Sequence, residues 1–315
     1  MKTILRKNVY THIAENNWKI FGLVLLFPLA LSFFIYLAFL FMGLFSKTPE
    51  EQQQIMDLFW EVSPWLIFIC LFWTLLSVFM GDKMMLAFAG AKPCEAKDKE
   101  NLKIYRAVEN VALAAGLPTP KVYLINDDSL NAFATGYSPK SASIALTTGI
   151  VKKLEPLELD AVIAHEMAHI KNRDIRLNMY VITGIGVVGL LGEIMIRMWG
   201  SSSRSRDDKN NLQGLFIVLG FSLLLFRVLI APFIHMAISR RQEYQADATG
   251  AFFTRNPEAL ASALEKIAVD PRVEVLDSSQ QMAAACIYNP LKKVKGLLST
   301  HPPVEERIKR LRSMV

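Results

Sequence analysis

The stretch Ala161-Val-Ile-Ala-His-Glu-Met-Ala-His-Ile-Lys-Asn-Arg-Asp174 carries two of the chain's five histidines, with a glutamate beside the first. Pro156 stands where a helix can open, and Leu159, Val162, Ile163 and Ile170 recur at helical spacing as its expected core contacts. With about 3.6 residues per turn, His165 and His169 share a face and can present imidazole nitrogens to one cation, while Glu166 points to the neighbouring edge. Two imidazoles make half a catalytic zinc site, because hydrolytic centres take three protein ligands and leave a position for water. Alone, the run reads equally as a polar stripe on a helix, so a third ligand decides the matter.

The best-placed candidates lie in Ser239-Arg-Arg-Gln-Glu-Tyr-Gln-Ala-Asp247. Glu243 and Asp247 are again one helical turn apart. One carboxylate can bind the metal while the other accepts an imidazole N–H from His165 or His169. Without the histidines, the same run is a solvated charged face.

The rest of the chain points to a membrane. Of 315 residues, 52% are hydrophobic and 19 are phenylalanine, more than a soluble core normally uses. Residues 20–45 carry no charge and exceed the roughly 20 residues that cross a bilayer core, with Pro28 placed to kink the helix. Residues 62–81 are a second uncharged run, ending at Asp82-Lys83. The first run is too long for a signal-peptide core and is expected to stay as an anchor. Two further apolar segments, 179–200 and 212–238, are expected spans interrupted by charge: Glu193 and Arg197, which can pair four residues apart, and Arg227 with His235.

Charge sets the orientation. Lys2, Arg6, Lys7 and Lys19 precede the first span, whereas the following loop sets Lys47 against Glu50, Glu51 and Asp57, which places the N-terminus in the cytoplasm. Lys171, Arg173 and Arg176 before the third span, and Arg240 and Arg241 after the fourth, put those ends on the same side, although Arg204, Arg206 and Lys209 in the intervening loop pull the other way. One metal cannot be shared across a membrane, so the chain between His169 and Glu243 crosses an even number of times. The net charge of +6 is spread along the chain without a nucleic-acid motif, and no nucleic-acid partner is expected. Cys70, Cys94 and Cys286 show no pairing pattern and are read as free thiols in a reducing compartment.

Between the second span and the histidines, residues 96–116 have the spacing of an amphipathic helix that ends at Gly116-Leu-Pro-Thr-Pro120. Three β-rich runs follow, 121–125, 132–135 and 142–147, separated by turn residues, and they predict a small sheet ahead of the histidine helix.

In order, Asn131-Ala-Phe-Ala-Thr-Gly136, Ala164-His-Glu-Met-Ala-His-Ile-Lys-Asn-Arg-Asp174, Ser239-Arg-Arg-Gln-Glu-Tyr-Gln-Ala-Asp247 and Ser299-Thr-His-Pro-Pro303 resemble the motifs of the HtpX-like membrane zinc metallopeptidases, related to the CaaX prenyl proteases. The resemblance covers nearly the whole chain. It implies one Zn2+ held by His165, His169 and Glu243, with Glu166 as general base and Asp247 supporting an imidazole. It also implies endoproteolysis of membrane proteins in quality control and stress response at the inner membrane. The 131–136 strand is expected to align an extended peptide by backbone pairing, with Asn131 and Ala134 as contacts. His301 is either a structural residue ahead of a C-terminal helix or a catalytic group near the metal. Tyr244 is read as packing, and Asn172 and Asp174 as support for the active-site helix.

The expected fold is an α+β integral membrane protein with four transmembrane helices and a cytoplasmic gluzincin-type protease domain. Its parts are a transmembrane hairpin (1–82), sheet and histidine helix (83–178), a second hairpin (179–238), and the third ligand with C-terminal helices (239–315). Its partners are protein or peptide substrates and the lipid bilayer. The alternatives are a CaaX-type processing protease, for which four spans are too few to enclose a chamber, and a non-catalytic membrane adaptor.

Overall fold

The computed structural model describes residues 2–44, 46, 48–95, 99–202, 210–237, 240–269 and 302–314. In chain order the elements are α1 (Lys2–Gly43), α2 (Pro49–Phe88), β1 (Lys92–Pro93), α3 (Lys99–Ala115), β2 (Lys121–Ile125), β3 (Ala132–Thr135), β4 (Ser143–Thr147), α4 (Thr148–Lys153), α5 (Pro156–Asn172), α6 (Asp174–Ser202), α7 (Asn210–Ala237), α8 (Arg240–Thr254), α9 (Pro257–Val269) and α10 (Val304–Arg312). The chain divides into two compact units: Met1–Asn17, Val78–Ile182 and His235–Val315 form one, Trp18–Ser77 and Thr183–Ile234 the other.

The second unit is all helix. Leu31, Ile35 and Phe39 of α1 pack with Phe59 of α2, Val188 of α6, and Leu219, Leu223 and Phe226 of α7. Around that core the apolar side chains point outward. Phe21, Leu29, Phe33 and Phe41 on α1 and Trp65, Phe68 and Phe72 on α2 are exposed, a surface that water disfavours and lipid accepts. Among the described residues two helical stretches are long and apolar enough to cross a membrane, Ala14–Gly43 and Pro49–Trp73. The second begins well ahead of the expected 62–81, because α2 is helical from Pro49 and charges stop at Glu61. The segments expected as third and fourth spans are helices, α6 and α7, and α7 contributes the shorter apolar stretch Phe216–Leu229. Glu193 and Arg197 do meet, at 3.8 Å.

The first unit builds the candidate site. Its four-stranded sheet runs β1-β2-β4-β3, with β2 and β4 parallel and β3 antiparallel to β4 in the register Ala134↔Ile144. The three expected strands appear with bounds shifted by at most one residue; the two-residue β1 is an addition. β3 lies at the sheet edge.

α5 opens as its sequence predicts, with Pro156 at its first turn and the Glu158 carboxylate accepting the Glu155 backbone N–H at 2.9 Å. Glu158 also takes the Ser262 hydroxyl at 2.6 Å and Lys266 at 2.7 Å, tying α5 to α9; the Lys266 and hydroxyl contacts outweigh desolvation and hold its pKa below the usual value. α5 is buried on nearly every side from Leu159 to Ile170, which marks a helix at the centre of a core. It stops where Arg173 takes a left-handed conformation (φ 60°), its N–H returning to the carbonyls of His169 and Ile170. α6 starts at the next residue, so one left-handed residue, Arg173, separates the two helices.

Candidate metal centre

α8 lies against α5 at very short range. A Cβ on Gly250 would stand 2.9 Å from the His165 backbone nitrogen, so the absent side chain sets how closely the helices approach. Glu243, Asp247 and Gly250 follow one another at helical spacing on one face of α8. That face delivers two carboxylates to the two histidines.

His165 is fully buried and His169 is 8% exposed. Each imidazole has a carboxylate beside its Nδ1: His169 Nδ1 is hydrogen-bonded to Asp174 Oδ2 at 3.0 Å, and His165 Nδ1 stands 3.0 Å from Asp247 Oδ1 outside hydrogen-bond geometry. The Asp174 carboxylate accepts and does not donate, so His169 Nδ1 carries a proton and its Nε2 faces the Nε2 of His165. The two Nε2 atoms lie 3.2 Å apart. Glu243 Oε1 is 3.5 Å from His169 Nε2, and its Oε2 is 3.8 Å from His165 Nε2.

These separations fit a metal. Two nitrogen lone pairs pointed at each other repel unless a cation or proton lies between them. Tetrahedral zinc, with Zn–N of about 2.0–2.1 Å, sets its nitrogens about 3.3 Å apart. One ligand atom from each of His165, His169 and Glu243 falls within 4.8 Å of the others.

The electrostatics agree. Glu166, Asp174, Glu243 and Asp247 are all at most 4% exposed, and buried carboxylates need positive charge close by. Burial alone depresses the His169 imidazolium, but the Asp174 hydrogen bond and the Glu243 charge reverse this and lift its pKa to about 9. The pocket thus draws a positive charge to the point where the nitrogens converge. Burial pushes Glu166 above the usual glutamate range, reinforced by Glu243 and opposed by both histidines and by the Ala134 backbone N–H that donates to it. A carboxyl displaced toward neutrality is suited to take up and release a proton.

Arg307 of α10 completes the ionic side. It is 1% exposed; Nε and Nη2 donate to Asp247 at 2.8 and 2.7 Å, and Nη1 stands 3.3 Å from Glu243 Oε2. Desolvation of Asp247 is outweighed by this guanidinium, so its carboxyl stays below the usual range. By sequence Arg307 is one of several basic residues late in a C-terminal helix, where its dipole favours them; it shares a stripe with Val304, Ile308 and Leu311, a position that faces the core.

The structure brings together His165, Glu166, His169, Glu243 and Asp247 among the sequence-predicted residues. Ala134 meets Glu166 through its backbone, and Asn131, 2% exposed, turns its Oδ1 to the Ala132 N–H at 2.9 Å. Asp174 supports the histidine helix as expected, whereas the buried Asn172 amide has no hydrogen-bond partner among the described residues. Tyr244 lies under the Arg310 guanidinium at 3.8 Å. His301 lies outside the described residues.

The model of peptidase family M48 matches residues 98–315, from the start of α3 through both halves of this centre. The chain belongs to peptidase family M48. It is a metallopeptidase, and its substrates are proteins or peptides. Among relatives of this M48 peptidase, a protease HtpX homolog of Bacteroides fragilis strain YCH46 is 37% identical over 314 residues, covering 95% of this chain and 97% of its own. One from Caldanaerobacter subterraneus subsp. tengcongensis is 40% identical over 315 residues, with 98% and 99% covered. One from Thermoanaerobacter pseudethanolicus is 45% identical over 236 residues, with 74% and 78% covered. Among solved structures, the crystal structure of S. mikatae Ste24p superposes with a TM-score of 0.46 at 19% identity, over 96% of this chain and 66% of that one.

Proposed function

We propose that this M48 peptidase is a zinc endopeptidase of the inner membrane that cleaves misfolded or damaged membrane proteins. The observation that carries the reading is the convergence of His165 Nε2, His169 Nε2 and the Glu243 carboxylate, with Glu166 beside them under the sheet edge. His165, His169 and Glu243 hold the Zn2+, and Asp247 and Asp174 fix the two imidazoles through Nδ1. Zinc bound there supplies a Lewis acid and makes water acidic enough to attack at neutral pH, with a pKa near about 7.

The chain's own residues do the rest. Glu166 accepts the proton of the attacking water and returns it to the leaving amine, which peptide hydrolysis requires because an amide anion is too basic to depart. The edge strand β3 aligns the peptide by backbone pairing, with Asn131 and Ala134 as contacts; the Ala134 N–H on Glu166 puts that edge beside the base. His301 is assigned to catalysis. Its support is that α10, three residues on, carries Arg307 to Glu243.

Four spans embed the chain, residues 1–82 and 179–238 forming two hairpins, with the N-terminus and the protease parts 83–178 and 239–315 in the cytoplasm. The basic flanks and the two long apolar helices support this. An even number of crossings keeps His169 and Glu243 on one side.

Purified in detergent, the protein should hold zinc at one per chain, lose casein cleavage on chelation and regain it on reloading. Failure of cleavage after reloading would remove the endopeptidase reading. Substrates captured from membranes by Glu166→Gln should be membrane proteins; capture of soluble proteins alone would contradict the quality-control role.

A further inference from the structure

His165 and His169 each have a carboxylate beside Nδ1, and the carboxylate of His169 is itself fixed from an unexpected direction. Asp174 turns Oδ2 to His169 Nδ1 and keeps Oδ1 buried on its other side. Asn16, near the start of the first apolar stretch of α1, reaches that oxygen: its Nδ2 donates to Asp174 Oδ1 at 2.8 Å. The Asn16 carbonyl oxygen then accepts from Gln242 Nε2 at 2.9 Å. Gln242 precedes the third ligand in sequence. All three side chains are at most 2% exposed.

The orientation of this chain of bonds is forced. A carboxylate accepts only, so Asn16 must turn its NH2 to Asp174, and its oxygen then faces α8, where an amide NH2 meets it. A residue at 16 needs a donor at one end and an acceptor at the other, at asparagine length. Aspartate there would set two carboxylates against each other in a buried site.

We infer that Asn16 is a positioning residue of the metal centre, joining His169 on α5 to the backbone that carries Glu243 through the path His169–Asp174–Asn16–Gln242. The N-terminal helix thereby helps hold zinc as well as anchoring the chain. The inference rests on the zinc reading proposed above.

The test is zinc affinity, measured by competition with a chromogenic chelator on the full chain in detergent, beside the thermal midpoint with and without zinc. Partners one step behind a metal ligand are worth about 10- to 100-fold in affinity, so Asn16→Ala, one step further out, should weaken zinc by about 5- to 10-fold and shrink the rise in midpoint that zinc produces. Asn16→Asp should weaken it more than alanine does. Gln242→Met should cause a smaller loss, and Asn16→Ala with Gln242→Met should be no worse than Asn16→Ala alone, since both cut one path. A structural role alone lowers the midpoint of both forms equally and leaves affinity unchanged. That result in Asn16→Ala, or additive losses in the double variant, overturns the inference. If Asn16→Ala fails to fold, the affinity of Gln242→Met decides: wild-type affinity there overturns it. Wild-type protein that binds no zinc would instead remove the underlying reading.

Discussion

The two histidines look alike on the page, yet the structure supports them by opposite means. His165 leans on Asp247, which is clamped by the buried guanidinium of Arg307 from the C-terminal helix. His169 leans on Asp174, five residues away, which accepts from the Asn16 amide of α1, itself bonded by the Gln242 amide of α8. One arm is ionic and long-range; the other begins locally and runs on through two side-chain amides. Cutting a buried ion pair strands a charge, whereas cutting an amide chain strands a dipole, so the ionic arm should be the more sensitive.

The largest effect is expected at Arg307. Arg307→Met leaves Asp247 and Glu243 buried beside each other without their guanidinium, at a cost of about 3–5 kcal/mol in thermal or denaturant unfolding of the metal-free protein. Arg307→Lys should recover part of this, since lysine restores charge without the two-pronged contact. A Met variant as stable as wild type would place the two arms on an equal footing.

On the other arm, Asp174→Asn should weaken zinc by about 10- to 100-fold with a smaller loss of stability. The same arm makes a pH prediction. His169 is raised to about 9 in the metal-free protein, so its protonated form stabilises that protein fully below about 6.5, and the contribution is lost as pH rises toward 9. Zinc must displace that proton, so its apparent affinity should climb by up to about tenfold per pH unit between about 6.5 and 9. Asp174→Asn should flatten this slope; an equal slope in both proteins would show that Asp174 does not govern His169.

The smallest effect probes the contact between the arms. Gly250→Ala forces α8 away from the His165 backbone and should cost about 1–2 kcal/mol, with both carboxylates of α8 displaced together. Wild-type unfolding and wild-type zinc affinity in Gly250→Ala would show that α8 accepts the methyl group without moving its carboxylates.

The difference between the arms also explains what could be read from the chain. α5 was legible because its signals are local: Pro156 at the start, apolar residues at helical spacing, histidines one turn apart. Glu243 and Asp247 repeat that spacing, and β3 appears where alternation and turns put it. Arg307 did not stand out because it sits among Glu305, Glu306, Lys309 and Arg310, where charge suits a helix terminus; its place on the apolar stripe of α10 was the available signal. Asn16, between Glu15 and Asn17, carries no pattern at all, because its partners lie 158 and 226 residues away. The long apolar helices follow the same logic: uncharged runs declared α1 and α2, and the four-residue spacing of Glu193 and Arg197 declared their pairing within α6.

In the proposed reaction His165, His169 and Glu243 hold zinc while Glu166 moves the proton. Zinc content and casein cleavage measured on one preparation of Glu166→Gln test it most directly. One zinc per chain is expected, as in wild type, with cleavage reduced by at least about a thousandfold, because the amide keeps the size of the side chain but cannot accept the proton. Cleavage at the wild-type rate with zinc fully bound would contradict it.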